Sequence, residues 1–226
     1  MNFDLIIGYL PRFLDGLMTT LWLVSLSVVA GLALSIPLAL ARISHVPVAA
    51  QASQAYSYVM RGTPLLVQVY LLYFGLAQFE AVRESPAWVL LEDPRTCLVL
   101  GFALNTAAYL SEIIRGAVRA VPHGEIEAAR AFGMTAAGVA RYVVLPNAFR
   151  RSIPPMFNEV IFLTHASAIA SVLSVPDILG VGRDLNSTYY VVLEGLVTAG
   201  LIYAALIGVL TAISGALERR YARFLR

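Results

Sequence analysis

Residues 16–41 carry no charged side chain, and neither do residues 62–79. Runs of that length restrict the fold first, because a bilayer core about 30 Å thick is crossed by roughly 20 apolar residues in a helix. Further apolar runs lie at about 96–114, 153–175 and 191–217. With Leu17–Ala41 and 62–79 they make five spans, and an all-α integral membrane protein is expected. Composition agrees, with 59% hydrophobic and 13% charged residues.

The polar residues exclude several chemistries. A net charge of +2 on so apolar a chain gives no basic patch for nucleic acid. Every basic residue is arginine, and without lysine there is no P-loop lysine, Schiff base or Ser-Lys dyad. Cys97 is the only cysteine, and His45, His123 and His165 lie at no metal-binding spacing. The chain does not read as an enzyme, and any ATP hydrolysis that drives it belongs to another chain.

Arginine distribution sets an expected orientation. Arg42, Arg61, six arginines between 115 and 151 and four in the C-terminal tail fall on one side, twelve in all. Arg12, Arg83, Arg95 and Arg183 fall on the other. Positive residues stay inside, which puts the N-terminus outside, the C-terminus in the cytoplasm and the loop 117–150 in the cytoplasm. Phe3–Leu14, with Asp4 and Arg12, suits a short interfacial helix. The apolar run that follows is longer than a signal core and no basic region precedes it, so cleavage after Ala39-Leu40-Ala41 is not expected. Pro37, Pro64, Pro154 and Pro155 suggest kinks in a packed bundle, and Gly31, Gly101, Gly195, Gly200 and Gly208 suggest close helix contacts. The acidic stretch from Glu80 to Arg95 reads as the irregular one.

The loop 117–150 is polar yet rich in helix formers. Pro122 and Gly124 punctuate its entry, and Glu125 and Glu127 fall in a first helical turn, where the dipole favours acids. Gly133 can take a positive φ and end that helix, or let a second chain approach closely. Ala128, Ala129 and Ala131 make the helix slender, and Phe132 and Met134 offer anchors for a groove. Leu145-Pro146 closes the loop before Arg150 and Arg151 mark re-entry to the membrane. The plainer alternative is an amphipathic helix lying on the inner leaflet.

Glu127-Ala128-Ala129, three residues, Gly133, nine residues, then Val143, one residue and Leu145-Pro146 resembles the loop by which ABC importer permeases grip their ATPase subunits. The resemblance extends along the chain. Arg61-Gly62-Thr63-Pro64 with Leu65, Gln68 and Tyr73, and Asn105-Thr106-Ala107-Ala108-Tyr109 with Glu112, Arg115 and Gly116, resemble spans of polar amino-acid permeases. Pro122-His123-Gly124 resembles the branch that holds the histidine, lysine-arginine-ornithine and octopine permeases. In the fourth span Asn158-Glu159 is present, but a Lys-Asp pair common in relatives is replaced by His165-Ala166. Removing a fixed ammonium from a passage favours a cationic solute.

The resemblance implies a type I ABC importer transmembrane domain over 17–217, flanked by an interfacial segment 1–16 and a basic tail 218–226. It implies a multi-pass protein of the bacterial inner membrane, paired with a second, identical or paralogous permease chain. It further implies an ATPase dimer on the inside, a solute-binding protein on the outside and a polar amino acid, a basic one by the His165-Ala166 departure, as cargo. No cofactor is expected on this chain; ATP and magnesium belong to the ATPase subunits.

The expected coupling residues are Glu127, Ala128, Ala129, Gly133, Leu145 and Pro146. The expected solute contacts are Glu159, Asn105, Gln68, Thr63 and His165. Glu159 can hold a cationic group, or pair structurally with Arg115, Arg150 or backbone donors. Asn105, Gln68 and Thr63 can bond solute or bond neighbouring helices. Glu112, three residues from Arg115, reads as a structural pair. Rival readings are a stand-alone secondary carrier or channel, which usually shows internal repeats or more spans, and a scaffold half that binds no solute.

Overall fold

The computed structural model describes residues 2–44 and 46–222, the last by its backbone alone. His45 and the final residues 223–226 of the expected basic tail lie outside the described residues.

Helix α1 (Phe3–Ile43) packs along α6 (Pro94–Arg119). Between them in sequence come α2 (Pro47–Gly62), α3 (Leu65–Tyr70) and two one-turn helices, α4 (Glu80–Arg83) and α5 (Trp88–Leu91). After α6 follow α7 (His123–Ala131), α8 (Ala136–Val139), α9 (Leu145–Ala166), α10 (Ile178–Tyr189) and α11 (Glu194–Ala222). Helix α9 packs on α6 and α11, and α10 fills the space between α1 and α11. The central core joins Leu23, Leu98, Phe102 and Leu163, one or two side chains from each of three helices.

Among the described residues four helical stretches are long and apolar enough to cross a bilayer: Phe3–Ile43, Pro94–Arg119, Ala136–Leu173 and Glu194–Tyr221. The expected second span, 62–79, does not stand alone. It qualifies only as the second arm of a pair, Pro47–Gly62 and Leu65–Gln78, bent by 104° at Thr63-Pro64. The first arm, α2, is too polar to stand out in the sequence as part of a span.

Three other boundaries move for physical reasons. The segment 1–16 is not a separate helix, because α1 continues through Pro11. Tyr9 and Phe13, one helical turn apart, pack with Ile178, Val181 and Leu185, and Arg12 pairs with Asp184 at 2.7 Å. Leu145-Pro146 lies within the continuous helical stretch Ala136–Leu173 rather than closing the loop, and the backbone widens into a π-helical turn, Ala140–Val144, just before the proline. The acidic stretch after Glu80 holds the turns α4 and α5 rather than irregular chain alone.

Three of the five named glycines make the expected close contacts. A Cβ on Gly31 would meet Thr106, one on Gly101 would meet Val69, and one on Gly195 would collide with the Gly182 carbonyl where α10 and α11 cross. Gly200 and Gly208 face open space on this chain, so the expectation of a close contact does not hold for them within it.

Candidate functional site

Proline at 64 removes the backbone N–H that a continuous helix would aim at the Met60 carbonyl. In an apolar layer that carbonyl needs another donor. Two side chains supply it: Gln68 Nε2 donates to Met60 O at 2.7 Å and Asn105 Nδ2 donates to it at 2.9 Å. Gln68 Nε2 also donates to Thr63 O and Thr63 Oγ1, and Asn105 Nδ2 to Gln68 Oε1. Three of the expected solute contacts are therefore brought together. Their amide donors, however, are engaged in holding the helix break.

The break lies deep in the membrane. Asn105 is about 16 Å along α6 from Pro94 at 1.5 Å per residue, near the middle of that helix. Met60, bonded to Asn105, lies at the same level, and so does Arg61. Arg61 therefore lies level with the middle of α6 rather than beyond a helix end, and leaving it out of the arginine count gives eleven against four, the same sign of asymmetry. Its guanidinium lies 5.1 Å from the Tyr109 ring centroid, and Tyr109 in turn lies 6.2 Å from Phe162.

Glu159 is 7% exposed, and its Oε1 has no hydrogen-bond partner among the described residues. It lines a cavity of about 240 Å³ with Val28, Leu32, Thr106, Leu110 and Met156. Thr106 Oγ1 likewise has no partner. The structural pairing with Arg115 is not made, because Arg115 binds Glu112 at 2.6 Å. Glu112 also takes Arg42 Nε at 3.1 Å, so it clamps α1 to α6, a partner that its spacing from Arg115 did not indicate. His165 is exposed at the end of α9, with Nδ1 against Ile161 O, and stands apart from the break.

Toward the other end, Gly133 takes φ +80° just beyond α7, the conformation its placement suggested. Thr135 then caps α8 through Gly138 N–H at 3.2 Å. Glu127, Ala128, Gly133, Leu145 and Pro146 are exposed, whereas Ala129 is buried. Ala117, Val121 and Ala148 form a small core with Ile126 packed on it, so α7 is held at the base of α6 and α9. Asn147 donates to Glu125 at 2.7 Å and accepts from Arg151. Phe132 is 88% exposed, the most exposed of the loop's large apolar side chains, with Met134, Tyr142 and Leu145 also exposed.

Sequence reasoning missed one further polar cluster. Asp177, fully buried, caps α10 through Gly180 N–H at 2.8 Å and accepts from the Tyr203 hydroxyl at 2.8 Å. Burial pushes its carboxyl above the usual range, against those donors. The Pro-Asp step after an apolar run was the available signal for a cap.

Comparison with known proteins covers most of the chain. A family model for the binding-protein-dependent transport system inner membrane component matches residues 31–223. The chain is 40% identical over 204 residues to the nopaline transport system permease protein NocM of Agrobacterium fabrum, covering 90% of this chain and 85% of that one. It is 39% identical over 215 residues to the histidine/lysine/arginine/ornithine transport system permease protein HisM of Salmonella typhimurium, covering 95% and 90%. An amino acid ABC transporter crystallised with histidines superimposes with a TM-score of 0.89 at 34% identity, over 97% of this chain and 99% of that one. The MetNI methionine transporter superimposes with a TM-score of 0.76 at 17% identity over 93% and 96%, a likeness of fold alone.

Proposed function

This chain belongs to the family of binding-protein-dependent transport system inner membrane components, and on that premise we propose how it works as half of an amino-acid importer pore. It is a multi-pass permease subunit of an ABC transporter, not an enzyme; ATP is hydrolysed on separate ATPase chains. Its cargo is a polar amino acid, and the basic amino acids named for HisM fit it. The fold is that of a type I importer transmembrane domain.

The N-terminus faces outward and the C-terminus lies in the cytoplasm, a reading supported by the eleven-to-four arginine asymmetry. Two such chains, identical or paralogous, enclose the passage. The loop around α7 faces an ATPase dimer in the cytoplasm, and a solute-binding protein delivers cargo to the opposite end. Glu127, Ala128, Gly133, Leu145 and Pro146 line or shape the docking surface, Phe132 is its apolar anchor, and Ala129 lets α7 lie close to the bundle. ATP binding closes the ATPase dimer, and α7 carries that motion into α6 and α9 through its packing and the Glu125–Asn147–Arg151 bonds. Moving the pore from 1:99 to 99:1 in favour of one state takes about 5.5 kcal/mol of differential binding. Two ATP molecules and a loaded binding protein are the sources of that energy.

The observation that carries the solute reading is Glu159, a buried carboxylate oxygen without a partner, facing a cavity at mid-membrane depth. Glu159 contacts the cationic end of the solute, while Asn105, Gln68 and Thr63 position the break beside it. His165 lies toward the outer end of α9 and bears on entry rather than on the cavity. The test is ATP-driven uptake of arginine and histidine into proteoliposomes holding both pore chains and the ATPase, with the binding protein added. Vanadate should stop uptake and a proton uncoupler should not. The reverse pattern would favour a secondary carrier. In Glu159→Gln, unchanged affinity for basic amino acids would remove Glu159 from the site.

A further inference from the structure

Arg61 is a second charged group level with the middle of α6, and nothing in the solute reading above uses it. It stands at the last turn of α2, two residues before the 104° break, level with the middle of α6. Among the described residues no hydrogen-bond acceptor is found for its guanidinium, which lies over the Tyr109 ring. Five N–H donors left without an acceptor in an apolar layer are expensive, so such a group faces a cavity or a ligand. Arg61 is also exposed on the surface of this chain, on the open side of the break.

Glu159 is in the complementary situation. It has an unpartnered carboxylate oxygen, and Arg61 is the charged group whose field reaches it. The two do not pair directly. Tyr109 holds the guanidinium over its own ring and leans on Phe162, which lies one helical turn beyond Glu159 on α9. Two opposite charges are thereby kept apart at one level of the membrane, each without a hydrogen-bonding partner. A zwitterion satisfies both at once.

We propose that Arg61 is the group that binds the α-carboxylate of the amino acid within this chain, with Tyr109 as the platform that aims it. Glu159 then takes the cationic end, and the solute lies across the break between them. Arginine suits the carboxylate because its planar fork donates two parallel hydrogen bonds, whereas an ammonium would act as a point charge. This rests on the reading that the chain lines an amino-acid passage. It adds a requirement that Glu159 does not impose: cargo must carry a free carboxylate, whatever its side chain.

The test uses the assembled complex of pore and ATPase chains, purified without the binding protein so that the solute sites are those of the pore. Binding of arginine, histidine and glutamine is compared with binding of their methyl esters, in which the carboxylate is neutral. The intact complex should prefer at least one free acid over its ester by about tenfold or more, the value of one charge-assisted hydrogen bond. Arg61→Gln should abolish that preference, and Arg61→Lys should restore part of it. Glu159→Gln should weaken arginine and its ester together and keep the ratio between them. Assembly of each variant is checked by its retained ATPase chains and ATPase rate. An assembled Arg61→Gln complex that still prefers the acid overturns the proposal, as does an intact complex that binds acid and ester equally or binds none of the six. An intact complex that prefers glutamine, with the acid preference lost in Arg61→Gln, overturns the basic-cargo reading and leaves the carboxylate role in place.

Discussion

The loop around α7 and the break between α2 and α3 misplace opposite kinds of residue. At the aqueous end an apolar side chain, Phe132, is 88% exposed. Level with the middle of α6, a buried carboxylate oxygen and an exposed guanidinium lack hydrogen-bonding partners among the described residues. Each arrangement is unfavourable in the isolated chain, one by exposed apolar surface and the other by charge without a partner in an apolar layer. Under the proposed function different partners complete the two sites: a protein groove the loop, and a small polar solute the break.

The largest effect that separates the two regions should come from Gly133→Asp. A side chain at φ +80° is strained, although nothing lies within 4 Å of a Cβ there. The loss is therefore one of docking geometry and not of packing inside the chain. ATP-dependent uptake should fall to background while binding of arginine to the solubilised pore stays unchanged. Normal uptake by a normally assembled complex would remove the loop from the coupling path. Phe132→Ala should follow, weakening ATPase retention by about tenfold or more if Phe132 is a buried anchor in the complex. Co-purification at graded salt would show it, and equal retention would make Phe132 a lipid-facing residue instead.

Glu159→Gln sharpens the other side of the contrast, because its two readouts should move in opposite directions. Removing a buried charge without a partner should stabilise the complex by about 1–3 kcal/mol of recovered desolvation, read as a higher melting temperature. Affinity for arginine should fall by about tenfold, the loss of one charge-assisted contact. A variant that is less stable would mean that the carboxylate has a structural partner after all.

The two regions also differed in how far they could be read from the chain alone. The conformation of the loop around α7 was legible because its signals are local: Pro122, the acidic first turn and Gly133 each act on neighbours within a few residues. The Glu112–Arg115 pair was legible for the same reason, while Arg42, seventy residues away, was not. The break was half legible. Thr63-Pro64 marks a stop, but α2 is polar enough to read as loop, so Arg61 counts with the cytoplasmic arginines and its level along α6 stays hidden. Only the bond from Asn105 to Met60 reveals its depth. The continuous α1 was likewise hidden, because its polar first turns look interfacial until Tyr9 and Phe13 meet α10. Asp177 and Tyr203 are separated by 26 residues and lie in different helices, a pairing that no periodicity indicates.

The smallest effect concerns how the break is held. In Asn105→Ala the Met60 carbonyl keeps one donor, Gln68 Nε2, so the cost should be about 1 kcal/mol, the net worth of a single hydrogen bond. Pro64→Ala should act on the same carbonyl from the opposite direction, by returning the backbone N–H that the proline lacks. If the carbonyl is what the amides serve, the two changes are not independent, and the double variant should be more stable than the sum of the singles predicts. Solute binding should weaken in that variant all the same, because a straightened α2–α3 carries Arg61 off its place over Tyr109. Additive melting temperatures in the purified complex would mean that Asn105 and Gln68 are held there for another purpose, and direct contact with the solute would again be the better reading of both.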